Sequence, residues 1–188
     1  MPEPDRPTLP AAATDIPDAT AAAIDSKRRR DREAERIHEL VAFQEGRMDV
    51  PVLESSAIAE LLRSSRRIAM IGASSNPMRP SNDVFRYLLA AGYDVVPVSP
   101  TEAEVEGVRA YPTLAEAVAA TGRFDIVDVF RRAESCPDHA REAVAAGARC
   151  LWLQLGIVSA EAARIAAEGG LAVVMDRCTK IEVARLGR

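Results

Sequence analysis

The sequence predicts an α/β fold: a parallel, five-stranded sheet covered by helices on both faces. Three observations carry this. From Arg67 onward, short apolar runs alternate with helical patterns five times. The runs are continuously apolar rather than alternating, as strands buried on both faces are. Gly92, Gly147 and the pair Gly169-Gly170 close the intervening helices. Right-handed crossovers make such a sheet doubly wound. The expected strand order is 3-2-1-4-5, with a switch point between the first and fourth strands, where ligands bind at the carboxyl ends.

Residues 1 to about 25 repeat Pro, Ala, Thr and Asp, as in Pro17-Asp18-Ala19-Thr20. They offer little large apolar surface and are expected to stay disordered. Lys27-Arg28-Arg29-Arg30 follows, then mixed charges to Arg36. Asp31 to Gln44 has helical character, with Ile37, Leu40, Val41 and Gln44 at three-to-four spacing. Residues 1–48 thus read as a disordered or partly helical extension, and residues 27–44 as a candidate surface for a protein partner. The folded domain is expected over 49–188. Ser55 or Ser56 caps a helix holding Ile58, Leu61 and Leu62.

The first strand is Arg67 to Gly72, followed by a helix from Asp83 to Ala91 with Val84, Tyr87 and Leu88 on one face. The second strand is Asp94 to Val98. Its Pro97 is awkward in a central strand, so one side lies at a sheet margin or the strand ends there. Glu102 to Tyr111 reads as a polar connection carrying Gly107, and Thr113 caps the next helix. The third strand is Asp125 to Phe130, with a helix from Cys136 to Ala146. The fourth is Arg149 to Leu153, with a helix from Ser159 to Glu168. The fifth is Leu171 to Met175, and a short helix from Thr179 closes the chain.

Composition narrows the function. The 188 residues are 48% hydrophobic and 28% charged, which fits one domain with a tail. A net charge of −4 disfavours nucleic-acid binding, which needs clustered Lys and Arg. No run is apolar for the ~18 residues that a membrane span requires. The N-terminus lacks the basic and apolar regions of a secretory signal, so the cytoplasm is the expected address. Cys136, Cys150 and Cys178 match neither a metal-site spacing nor a disulfide framework. Neither a Ser-His-Asp nor a Cys-His arrangement is evident, and His139 reads as a surface residue.

Candidate chemistry sits just after each strand. Gly72 turns the backbone tightly; Ser74, Ser75, Asn76 and Ser81 supply small polar groups, and the next helix presents free amides. That arrangement favours an anion, usually a phosphate, and Arg79 adds a fork for its oxygens. This is neither GxGxxG nor GxxxxGK[ST]. Ser99 follows the second strand, where dehydrogenases carry an acid for the ribose; Glu102 comes a few residues later. After the third strand, Arg131 and Arg132 suit several negative charges, and Phe130 is placed to stack on or wall off an adenine. After the fourth, Gln154 is polar within an apolar run, and Gly156 permits close backbone approach. After the fifth, Asp176 or Thr179 is a candidate cap for the last helix, and Cys178 stands near its start.

The stretches IAMIGASSNPMRPS, VVPVSP, AYPTL, FDIVDVFRR, LWLQLGI and VVMDRCTKIE, in this order, resemble the CoA-binding domain family. That family is the stand-alone relative of the nucleotide-binding domain of the succinyl-CoA synthetase alpha subunit. The resemblance runs from about Ser55 to Leu186 and implies a Rossmann-like domain holding coenzyme A or acyl-CoA. By it, Gly72, Ala73, Ser74, Arg79, Pro80 and Ser81 cradle phosphates, and Val98 and Ser99 face the adenosine. Val129, Phe130 and Arg131 line the middle of the cofactor, with Arg132 adding charge; Gln154, Leu155 and Gly156 lie toward the pantetheine. The synthetase uses a phosphorylated histidine from a second domain, and neither His38 nor His139 lies in a matching motif, so binding without catalysis is expected. The competing readings are an NAD(P)-binding or acyl-CoA-handling enzyme component, and a protein–protein adaptor regulated by a nucleotide.

Overall fold

The computed structural model describes residues 19–187. The disorder expected for the first residues therefore lies outside the described residues as far as residue 18. From Ala19 the chain is helical, and α1 runs Ala19–Gln44. Its start lies upstream of the expected Asp31, in an alanine-rich turn of high helix propensity. Arg29 pairs with Asp25 one turn back at 3.3 Å. The chain divides into two compact units between Glu35 and Arg36. In the second, Leu40, Phe43 and Met48 pack against the core.

The second unit continues through α2 (Ser55–Ser64), β1 (Arg67–Ile71), α3 (Pro80–Ala90), β2 (Asp94–Val98), β3 (Glu104–Val105) and β4 (Val108–Arg109). Then come α4 (Leu114–Thr121), β5 (Ile126–Val129), a 3-10 turn at Ala133–Ser135, α5 (Cys136–Ala145), β6 (Cys150–Leu153), α6 (Ala160–Glu168), β7 (Ala172–Val174) and α7 (Thr179–Arg185).

Five strands form one parallel sheet, in the order β2-β1-β5-β6-β7. The doubly wound α/β fold is the one the sequence predicts. Counted as parallel strands one to five, however, the order is 2-1-3-4-5 and corrects the expected 3-2-1-4-5. The third parallel strand, β5, lies on β1, with Ile68 opposite Ile126 and Ile71 opposite Val129. Pro97 gives the reason. Tyr111 N donates to Pro97 O at 3.0 Å, so that carbonyl faces the outer margin of β2. The amide hydrogen that proline lacks would point the same way, and no further strand can complete a ladder there. A single bridge, Val98 with Tyr111, closes the margin. The switch point thus falls between β1 and β5, not between the first and fourth strands.

Alternation along the strands divides the core in two. Ala69, Ile71, Val127, Val129, Leu151 and Leu153 face one layer, in which the small residues Ala140, Ala143, Ala162, Ala163 and Ala166 let α5 and α6 approach closely. Ile68, Met70, Ile126 and Trp152 face the other, filled by Leu62, Phe85, Leu88 and Val183 from α2, α3 and α7. Trp152 is fully buried, and its Nε1 donates to Arg177 O at 2.6 Å. The connection after β2 holds a hairpin that its polar composition concealed. Glu106 (φ 51°) and Gly107 (φ 76°) form its turn, both in the left-handed region that a type I′ hairpin requires. Val105 is fully buried and fastens the hairpin to the core.

Candidate functional site

The turns leaving β2, β1 and β5 converge at the switch point. Gly72 N donates to Val98 O at 2.9 Å, and Phe130 N donates to Ile71 O at 2.8 Å. Ser99 N donates to Tyr111 O at 2.8 Å. Gly72 has φ +83°, and a β-carbon on it would stand 2.5 Å from Phe130 O and 3.4 Å from Arg131 Cδ. Two turns are pressed together here, and only glycine fits between them.

The loop after β1 is fixed by its own polar groups. Met78 N donates to Asn76 Oδ1 at 2.9 Å, and Asn76 N to Ser74 Oγ at 3.2 Å. Asn82, buried in the first turn of α3, donates from Nδ2 to Ser74 O at 3.0 Å and to Glu106 Oε1 at 2.9 Å. Arg79 occupies the cap position of that helix without a side-chain bond, and Pro80 opens it. The loop's hydroxyl and amide donors meet an anion from the chain itself. Glu102 accepts from Ser75 Oγ at 2.7 Å, Ser75 N at 3.1 Å and Ser74 Oγ at 3.1 Å. The Ser75 side-chain and backbone bonds, helped by Ser74 and outweighing slight desolvation, hold the Glu102 carboxyl below its ordinary value.

Basic groups at the strand ends fall into two sets. Arg177 pairs with Glu182 at 3.2 Å, and Lys180 with Asp83 at 2.7 Å. Arg79, Arg131 and Arg132 are exposed, and among the described residues none has an ion-pair partner. Asp138, a surface partner within reach of that segment by sequence, is held by Arg141 at 2.8 Å. His139 sits beside Glu142 at 2.8 Å on the same helix.

Other expected residues lie inside. Ala73, Ser81, Val98, Ser99 and Val129 are buried, Val129 completely, so in this structure they lie beneath the surface of the site. Gln154 is also buried, and its Nε2 lies 2.8 and 3.0 Å from the two Asp128 oxygens and 2.7 Å from Thr179 Oγ1. Thr179 Oγ1 in turn donates to Asp128 Oδ2 at 2.9 Å. Burial pushes the Asp128 carboxyl up to about 7, against the lowering effect of the Gln154 and Thr179 bonds. Leu155 projects at 62% exposure beside Gly156, and Met78 in the loop after β1 is also an exposed apolar side chain.

The last helix is not capped by Asp176 or Thr179; Cys178 occupies the cap position without a side-chain bond. Asp176 instead accepts from Gly156 N at 2.7 Å and Gln44 Nε2 at 2.8 Å, in the left-handed conformation (φ 52°). It ties the turns after β6 and β7 to the end of α1. Cys136 and Cys150 are buried, which pushes both thiols up, Cys136 to about 12. Cys178 is partly buried.

Sequence reasoning missed Glu102 as the occupant of the loop, Asn82 as its anchor, and the Asp128–Gln154–Thr179 network. One signal was present for the last: Asp128 inside one apolar strand and Gln154 just past the end of its neighbour are polar groups that burial obliges to find partners.

The model of the CoA binding domain family matches residues 66–184, more than half of the chain. An uncharacterized protein of Bacillus subtilis, YneT, is 42% identical over 124 residues, covering 66% of this chain and 90% of YneT. The structure of a hypothetical protein from Pyrococcus horikoshii is 35% identical with a TM-score of 0.68, covering 72% of this chain and 94% of that one. A likeness of fold alone extends to the dinucleotide-forming acetyl-coenzyme A synthetase 1 of Candidatus Korarchaeum cryptofilum. It is 24% identical with a TM-score of 0.53, covering 61% of this chain and 26% of that enzyme. With a family model spanning the sheet and all the turns described above, this chain belongs to the CoA binding domain family.

Proposed function

We propose that the chain binds coenzyme A or an acyl-CoA as a module without catalysis of its own. One observation carries the reading: among the described residues Arg79, Arg131 and Arg132 have no ion-pair partner, while neighbouring Arg177 and Lys180 are neutralised by carboxylates. Exposed guanidinium groups left without anions beside a glycine turn fit a ligand that brings several phosphates. Coenzyme A brings a diphosphate and a 3′-phosphate. Its amide-rich pantetheine arm is slender and suits passage beside the exposed Leu155 and the side-chain-free Gly156.

The residues have separate tasks. Gly72 and the loop to Ser81 approach phosphate oxygens, with the arginines supplying charge. Phe130, half-buried between the phosphate turn and the core, walls the base or the middle of the cofactor. Gln154 contributes by anchoring the turn, since its amide nitrogen is held by Asp128 and Thr179. The bound cofactor supplies a thiol that carries acyl groups. The chain's part is to bind and orient it. His139 sits beside Glu142, and Cys136 and Cys150 are buried, so the reading assigns them no role toward it.

A thermal-shift panel tests the reading, because a ligand that binds only the folded state raises the unfolding temperature. Coenzyme A should stabilise the protein more than ADP, ATP, NAD or NADPH do. Equal shifts with ADP and coenzyme A would remove the pantetheine contacts from the account.

A further inference from the structure

The Glu102 carboxylate comes from the connection between β2 and β3, yet three donors of the β1–α3 loop converge on it. Those donors, two serine hydroxyls and one amide hydrogen, are the set that a phosphoryl oxygen would accept from. The backbone bearing Glu102 is not free to drift. Val105 is buried three residues on, and Glu106 is clasped by Asn82, which also holds Ser74 O. The side chain alone can leave by rotating outward. We infer that Glu102 is a specificity-determining residue: its carboxylate fills the Ser74–Ser75 anion seat as a built-in competitor, and a ligand phosphate must displace it to enter. This rests on the coenzyme A reading for the identity of the ligand, though the seat itself requires only a phosphate.

The consequence is discrimination by total charge contact. A lone phosphate brings one anion and must evict another, so its net gain is small. A ligand whose other phosphates are held by Arg79, Arg131 and Arg132 has binding left over for the exchange. Glu102 thus penalises monophosphates and permits polyphosphates, without touching the apolar end of the site.

The test is calorimetric titration of the full chain with pyrophosphate and, separately, with coenzyme A. The proteins are wild type, Glu102→Ala, Glu102→Gln and the control Glu104→Gln. Glu104 is an exposed acid on the same connection, away from the three donors. Glu102→Ala should bind pyrophosphate about tenfold more tightly than wild type, because the competing charge-assisted bonds are gone. Glu102→Gln should gain less, since its amide oxygen still accepts from serine. Glu104→Gln should change affinity by less than about twofold, the scale of a screened surface charge. The inference is overturned by unchanged, weaker or undetectable pyrophosphate binding in Glu102→Ala, or by an equal gain in Glu104→Gln. If pyrophosphate gains as expected but no protein binds coenzyme A, the seat stands and the coenzyme A reading falls. If all four bind coenzyme A and pyrophosphate with unchanged affinities, that reading stands and the seat falls.

Discussion

Arg131 lies against Gly72: its Cδ would be 3.4 Å from a β-carbon at residue 72, and the Phe130 carbonyl oxygen 2.5 Å away. The glycine therefore does two things. It admits a left-handed turn at φ +83°, and it lets the turn after β5 bring an arginine across the end of β1. Gly72→Ala meets both backbone strain and a contact with an immovable carbonyl. It should destabilise the fold by roughly 2–4 kcal/mol. Urea unfolding with an unchanged slope would show this as a lower midpoint.

The arginines themselves should behave oppositely. Because Arg131 and Arg132 have no ion-pair partner among the described residues, Arg131→Ala with Arg132→Ala should leave unfolding within about 0.5 kcal/mol of wild type. The same double change should weaken coenzyme A binding at least about tenfold, as lost hydrogen bonds to a charged ligand do. The salt dependence of binding should flatten with it. Titrations at low and high salt read both effects. An unchanged affinity would assign the two arginines to solvent.

Much of this architecture was legible because it depends on local chemistry. Five apolar runs, their closing glycines and the loop following Ile71 are properties of short segments, and the structure places each where its pattern indicates. The strand order was less legible because it is a choice between two neighbours for β5. Pro97 carried the deciding information, since its missing donor makes one margin of β2 a poor site for another strand. The pairing of Glu102 with Ser74 and Ser75 spans 27 to 28 residues and depends on how the β3–β4 hairpin folds back. No local pattern encodes that. Gln154 was visible as an anomaly in an apolar run, but its partners Asp128 and Thr179 come from two other elements.

Asp176 offers a separate test of backbone strain and bonding. It holds φ 52° while accepting from Gly156 N and Gln44 Nε2. Asp176→Ala loses both acceptors and places a side chain poorly suited to the left-handed region there, for a loss of about 2–3 kcal/mol. Asp176→Asn keeps one acceptor oxygen and tolerates that conformation, so the loss should be about 1 kcal/mol. Gln44→Ala removes only one exposed bond and should cost less than Asp176→Ala. The ranking, read from thermal unfolding, matters more than any single value.

Asp128 predicts an unusual dependence on pH. Its folded value of about 7 lies above the ordinary 3.8, so the folded state binds a proton that the unfolded state releases. Stability from this group is complete below about pH 4 and is lost progressively as pH rises through about 7. The total is on the order of 4 kcal/mol, from the difference between the two values. Asp125 acts in a different window. Burial pushes its carboxyl up, but the Arg67 and Arg66 amides and the nearby Arg149 outweigh that and lower it, so its contribution fades only under more acid conditions. Asp128→Asn keeps the shape without the ionisation. Gln154 can turn its amide to match the new donor, because its nitrogen and oxygen occupy equivalent positions. From pH 5 to pH 8 the unfolding free energy should therefore fall for wild type by more than for Asp128→Asn, and the difference between the two proteins should change steadily from about pH 4 and level off above about pH 7. Parallel curves for the two proteins would show that the carboxyl ionises at an ordinary pH despite its burial.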